Sequence, residues 1–229
     1  MFFAPFILFW VFIFFFGLAF LFILIEIHVI NYAFEMVGLS PQLAVLALFA
    51  ALFGSFINIP IARIPNIGPR PAIVVRSFGV AYRVPIRYGM GSTVIAVNVG
   101  GAIVPVLISI YVLYQFPAVI VAAAIGTMIV ALVVHRFARP IHGLGIATPM
   151  LVPPIIAALM AYVLDAAFGM PQHHRDVIAF VSGVMGTLVG ADLMNLNKIA
   201  DLGAPVASIG GAGTFDGIFL TGIVAVLLA

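Results

Sequence analysis

Gly186-Thr-Leu-Val-Gly190-Ala-Asp192-Leu-Met-Asn195-Leu196 and, after a short polar turn, Ser208-Ile-Gly-Gly211-Ala-Gly213-Thr214-Phe-Asp216-Gly-Ile-Phe-Leu-Thr221 set two carboxylates inside apolar segments punctuated by glycine. A carboxylate at membrane depth is costly unless it is paired or faces a cavity, so each is a candidate functional residue. Two of them on consecutive segments suggest a pair.

Composition puts these segments in a membrane. Of 229 residues, 65% are hydrophobic and 7% charged, and mean hydropathy is +1.34; a soluble domain is roughly half apolar and a quarter charged. The phenylalanines crowd into the first sixty residues. The expected fold is an all-α polytopic membrane protein, residues 1–229 forming a single integral membrane domain with lipids as its first partners. A net charge of +2, with no clustered basic face on a soluble fold, excludes a nucleic-acid binder. Cysteine is absent, which removes disulfides, thiolate nucleophiles and Cys-ligated metals. His135 and His142, seven apart in one loop, do not complete a zinc set, and the His173-His174 pair reads as solvated loop. No metal and no cofactor are expected.

About seven transmembrane helices follow from the apolar runs, near residues 3–25, 42–59, 91–113, 117–134, 148–167, 177–196 and 206–229, several near the 20 residues that cross a core of about 30 Å. The first run lacks the basic flank of a secretory signal and reads as a retained span. Residues 31–40 read as a polar connection ending in Ser40-Pro41, an N-cap followed by proline at the first helical position. Pro153-Pro154 predicts a broken or kinked start to the fifth span, Asp176 an N-cap or first-turn acid for the sixth, and Gly183, Gly186 and Gly190 one smooth strip against a partner helix. Within the connection 60–90, the stretch Ala72 to Pro85 reads as apolar and polar residues in alternation around Ser77-Phe78-Gly79, which predicts a short β-hairpin between spans two and three, with Pro85 at an edge, as the only non-helical element. The glycine-rich entry to the last segment predicts unwound backbone, with regular helix beginning near Asp216.

Eight of the nine basic residues fall in 60–90, 135–147 and 197–205, all on one side of a seven-span chain. The positive-inside rule then makes the hairpin and the N-terminus cytoplasmic and the C-terminus external. Asp192 and Asp216 both fall in the cytoplasmic half, on antiparallel neighbours. Facing carboxylates in a low-dielectric site share a proton, and such a dyad activates water against a peptide carbonyl: one carboxylate is the base, and its protonated partner polarises the oxygen. The neighbouring candidates for binding are Gly211, Gly213 and Thr214 in the unwound entry, Asn195 one turn beyond Asp192, and Asn98. The last sits in Asn98-Val-Gly100-Gly101-Ala-Ile-Val-Pro105, where glycines and a proline predict an opened helix.

Gly54-Ser-Phe-Ile-Asn-Ile-Pro60, Asn98 to Pro105, Gly190-Ala-Asp-Leu-Met-Asn-Leu196 and Gly210 to Gly222 resemble an uncharacterised prokaryotic family of polytopic membrane proteins, which implies a prokaryotic plasma membrane and supplies no activity. More distantly, the two-aspartate ending is similar to the presenilin, signal-peptide-peptidase and prepilin-peptidase type of intramembrane aspartyl protease. That likeness implies catalytic roles for Asp192 and Asp216, with Gly211 and Gly213 as the preceding glycines and transmembrane peptides as substrates. This sequence departs from the pattern in three ways: Thr214 and Phe215 separate Gly213 from Asp216, no tyrosine precedes Asp192, and no Pro-Ala-Leu element follows. The alternative is a transporter or channel using the same acids as a proton or cation site, with the breaks at Asn98–Pro105 and Gly210–Gly213 lining the path.

Overall fold

A helix that is apolar on every side is a buried helix, and the stretch Val177–Val184 is buried residue for residue. It belongs to the hub of the molecule. The computed structural model describes residues 4–65, 74–77, 80–83, 92–141, 145–202, 206–211 and 217–229. Within them the chain is mostly helical: α1 (Ala4–Met36), α2 (Pro41–Gly54), α3 (Val104–Gln115), α4 (Ile120–Phe137), α5 (Val152–Phe168), α6 (Gln172–Thr187) and α7 (Gly217–Leu228). Helix α6 touches α1, α3, α4, α5 and α7. Its two hydroxyls are satisfied internally, Ser182 donating to the Ile178 carbonyl and Thr187 to that of Gly183, each at 2.6 Å.

Three helical stretches, Phe12–Met36, Pro117–Phe137 and His174–Lys198, are long and apolar enough to cross a membrane. That is the pattern of a membrane protein. Four others, Pro41–Gly54, Val99–Gln115, Val152–Phe168 and Gly217–Leu228, are apolar but of 10–17 residues, so seven full-length spans are not what the chain forms. The reason lies in the strands. The third expected span opens as β4 (Ser92–Asn98), passes through a π-helical turn (Val99–Ile103) and only then becomes α3. The second ends at Gly54, and Asn58 begins β1 (Asn58–Pro65). The last opens as β7 (Val206–Ile209), and its helix starts at Gly217, where regular helix was expected.

The hairpin is present as β2 (Val74–Ser77) against β3 (Val80–Arg83), paired Ser77 to Val80, with the Phe78-Gly79 turn outside the described residues. It is not the only non-helical element. β5 (Arg139–Ile141) pairs with β6 (Gly145–Ala147), and a three-stranded sheet is ordered β1-β4-β7, β4 running antiparallel to β1 and parallel to β7.

Local expectations also shift. The polar stretch from Asn31 stays helical to Met36; the chain turns at Gly38 (φ 88°), and Ser40 caps α2 through the Leu43 N–H as expected. Pro153 and Pro154 sit in the first turn of α5, where a missing N–H breaks nothing. Asp176 lies inside α6, whose N-cap is Pro171, and is buried. The glycine strip divides. A β-carbon on Gly186 would lie 2.6 Å from Val130 Cβ, and one on Gly190 would strike the Ala131 carbonyl oxygen, so these two admit α4; Gly183 instead faces Ala157 of α5 and Ala225 of α7.

Outside this bundle, every side chain from Phe12 to Val29 is exposed, and α1 joins the core through Ile30, Ala33, Phe34 and Met36, with Val37 just beyond its end. Phe34 holds it there, 6.2 Å from the Phe180 ring and 5.6 Å from that of Phe219, both edge-on. Gly190→Ala should lower stability by about 1–3 kcal/mol, since the added methyl meets backbone that cannot yield. Gly17→Ala, with nothing within 4 Å of the new carbon, should lose none. Thermal melts of the full chain in one detergent make the comparison.

Candidate functional site: the junction of three strands and Asp192

Where a chain leaves a helix inside an apolar phase, its freed N–H and C=O groups must find protein partners. At this junction they find them in Asn98 and Asp192. Asn98 ends β4 and caps the π-helical turn, its Oδ1 accepting the Gly101 N–H at 2.8 Å. Its Nδ2 donates to the Ser55 carbonyl at 2.8 Å and to Asn58 Oδ1 at 3.1 Å. Asn58 Oδ1 also accepts the Ser208 hydroxyl. A 98% buried side chain thus ties the end of α2, the start of β1 and the start of α3 together, and through Asn58 reaches β7. The Val99 N–H extends the tie to the Ile57 carbonyl at 2.9 Å.

Close backbone approach makes this possible. Gly100 lies against the last turn of α2, where a β-carbon would collide with the Ala51 carbonyl oxygen, and Gly54 has no more room against Gly100. Gly210 has φ 76°, and a β-carbon there would sit 2.7 Å from Ala102 N. Only glycine meets both demands.

Asp192 closes the junction from the other side. After α6 the helix widens into a π-helical turn (Leu188–Asp192) and tightens into a 3₁₀ segment (Leu193–Leu202), a wound irregularity of the kind often found at functional sites. Asp192 is the last residue of the wide turn. Its Oδ2 accepts the Gly210 N–H at 2.7 Å. One turn on, the fully buried Asn195 donates to the carbonyls of Gly190 (3.2 Å) and Ala191 (2.9 Å) and accepts Lys198 Nζ at 2.8 Å. Asn195 therefore secures the irregular turn that presents Asp192.

Of the candidates from sequence, Asp192, Asn98 and Gly211 meet at the junction; a β-carbon on Gly211 would crowd Ser208 and lie 3.3 Å from Asn98 Cβ. Asn195 stands beside it. Gly213, Thr214 and Asp216 lie outside the described residues. Ser55, Asn58, Ser208 and Gly210 are additions. A signal for two of them was present: Asn98-Val-Gly-Gly-Ala102 recurs as Ser208-Ile-Gly-Gly-Ala212; the first copy starts at the last residue of β4, and Ser208 and Ile209 end β7, the strand that runs parallel beside it. Among the described residues no cluster of histidine and carboxylate side chains could hold a metal ion.

A helical membrane protein whose spans break into short strands around a half-buried aspartate is the class that the fold and the junction define. Residues 52–228 match the family described as protein of unknown function, DUF1614; the chain belongs to that family, and the match takes in every residue of the junction. No curated protein and no solved structure matches the chain, so the likeness to presenilin-type enzymes has only the residues quoted above behind it. Asn98→Ala removes all three hydrogen bonds of that side chain and should destabilise by about 1–3 kcal/mol for each buried group left unpartnered. Asn98→Asp keeps the Gly101 cap but places an acceptor against the acceptors of Ser55 and Asn58, so its melt in detergent should fall at least as far.

Proposed function

We propose that this chain is an intramembrane aspartyl protease, with Asp192 and Asp216 as the dyad. The observation that carries the reading is the bond from Gly210 to Asp192: it fixes the glycine entry against the first carboxylate, six residues before the second. Next to that bond β7 ends an edge of the sheet, open to an extended substrate segment that pairs through its backbone. The carboxylate of one aspartate takes a proton from water, whose oxygen attacks the scissile carbonyl carbon while the protonated partner donates to the carbonyl oxygen. Collapse of the tetrahedral diol breaks the C–N bond, the leaving nitrogen takes up a proton, and a carboxylic acid and an amine depart. Gly211, Gly213 and Thr214 border the substrate in this reading, while Asn98 and Asn195 hold the walls.

A second reading has one observation in its favour. Two parallel strand-Gly-Gly-Ala units leading into α3 and toward α7 are discontinuities of the sort that line a transport path, so a proton- or cation-coupled carrier using the same acids remains its competitor. Asp192→Asn removes the acid in either reading without unfolding the junction, because asparagine keeps an oxygen to accept the Gly210 N–H; what separates the two is the product. In proteoliposomes containing a single-span helical peptide, the wild type should release two fragments, and Asp192→Asn or Asp216→Asn should reduce the rate by about 10²-fold or more, the scale of a lost acid–base group. Absence of fragments together with an Asp192-dependent proton or cation flux would decide for the carrier.

We further assign the chain to a prokaryotic plasma membrane with all seven helices in the bilayer, the N-terminus, the 74–83 hairpin and the 135–147 and 197–205 loops cytoplasmic, and the C-terminus external. The distribution of arginine and lysine supports this orientation. The natural absence of cysteine makes it testable with single introduced thiols. In intact cells an impermeant maleimide should label Ala229→Cys and spare Arg139→Cys; the reverse pattern would invert the topology.

A further inference from the structure

Along the outer side of the bundle, α4 and the α6 stretch that continues into the 3₁₀ segment enclose an open groove of about 490 Å³. One wall is the row Ile120, Ala124, Met128 and Leu132, spaced four residues apart on α4; the other carries Met185 and Met194. Such a row rises about 1.5 Å per residue, or about 18 Å from end to end. The next member of the row is Arg136, exposed in the last turn of α4. Beyond the opposite wall, Lys198 lies in the same 3₁₀ segment as Met194, its Nζ held by Asn195 at 2.8 Å, which leaves two of its three donors free to bond elsewhere. Arg139, exposed at the start of β5, lies on the strand that packs beside this 3₁₀ segment. Toward the other end of α6, Arg175 is occupied over the Tyr162 ring of α5, 4.3 Å from its centroid, so the apolar channel has its cationic mouth at the Arg136 and Lys198 end.

We propose that this groove is a binding site for one anionic phospholipid of the surrounding membrane, an acyl chain lying between α4 and α6 and the phosphate held by Arg136 and Lys198, with Arg139 beside them. The charge pattern selects the occupant. A chain with one anionic end matches a groove whose single cationic end is reached along both walls, and methionine walls mould around a flexible chain. A partner helix is a poorer fit: membrane helices meet through small residues, and of the α4 row only Ala124 is small, while Gly126 and Ala131 are engaged by α6, against Ser182 and Gly190. The inner end of the groove includes Val189 and Met194, which flank Asp192 in sequence, so a bound lipid would brace the turn that presents the aspartate. The site stands whatever chemistry Asp192 performs.

The test uses the full chain in phosphatidylcholine nanodiscs doped with phosphatidylglycerol that carries a photoactivatable group in mid-chain. Label should concentrate on peptides containing 120–132 and 185–194, and unlabelled phosphatidylglycerol should compete far better than phosphatidylcholine. Arg136→Gln with Lys198→Gln should weaken that competition about 25-fold, about fivefold for each charge, or on the order of 1 kcal/mol each. Met128→Trp, at an exposed position, should fill the groove and cut its labelling at least tenfold, with Leu132→Trp as a second filling variant should the first fail to fold. Labelling spread evenly over the groove and the exposed Phe12–Val29 face of α1, equal competition by phosphatidylcholine, or labelling indifferent to both filling variants would overturn the proposal. So would cross-linking of the groove to a second protein chain in place of lipid.

Discussion

A backbone amide that leaves a helix in an apolar phase has no water to turn to, and this chain leaves its helices repeatedly at one place. The end of α2, the start of α3 and the approach to α7 all pass through extended backbone. The sheet β1-β4-β7 pairs the strands with one another, but the ends of the strands, where ladder becomes turn, still need partners. Asn98 serves α2, β1 and α3 at once, and Asp192 serves the turn after β7. The two side chains are what allow irregular backbone to persist beside apolar helices.

The helices are arranged to deliver those side chains. Helix α6 is held on all sides, so the π-helical turn at its end is fixed relative to α4, and Gly190 brings that turn against the Ala131 backbone. Asn195 fills the hydrogen bonds that the wider winding leaves open. Asp192 is thereby aimed at Gly210 from a rigid support, the condition a catalytic or ion-binding carboxylate requires for a defined geometry.

Much of this was legible in the residues, and what was not has physical causes. Asp192 and Asn98 stood out because polar side chains in apolar runs demand partners. The hairpin was legible because Val74-Val75 and Val80 to Tyr82, residues that favour strands, flank the turn signal Ser77-Phe78-Gly79. The strand β4 was hidden: Val94-Ile-Ala-Val97 is a continuous apolar run, and such a run cannot be told from part of a helix by periodicity. Strand β1 was hidden by its prolines, Pro60 and Pro65, which read as helix breakers and are tolerated here because β1 is a sheet edge. The division of the glycine strip between α4 and α5–α7 could not be seen at all, since residues three and four apart share a face while the partners on either side of that face are set by tertiary packing. The repeat Asn-Val-Gly-Gly-Ala and Ser-Ile-Gly-Gly-Ala was visible and begins where the two parallel strands end.

The central claim is that the segment after Gly210 brings Asp216 to Asp192. A disulfide forms only when Cα atoms lie within about 4.4–6.8 Å, and the chain has no cysteine of its own. The decisive measurement is therefore oxidative cross-linking, in native membranes, of the double variant Asp192→Cys/Asp216→Cys, alongside Ile59→Cys/Val97→Cys, a pair opposite one another in the sheet. The account predicts that both pairs close, seen as linked peptides by mass spectrometry. A sheet pair that closes while the aspartate pair stays open would contradict it.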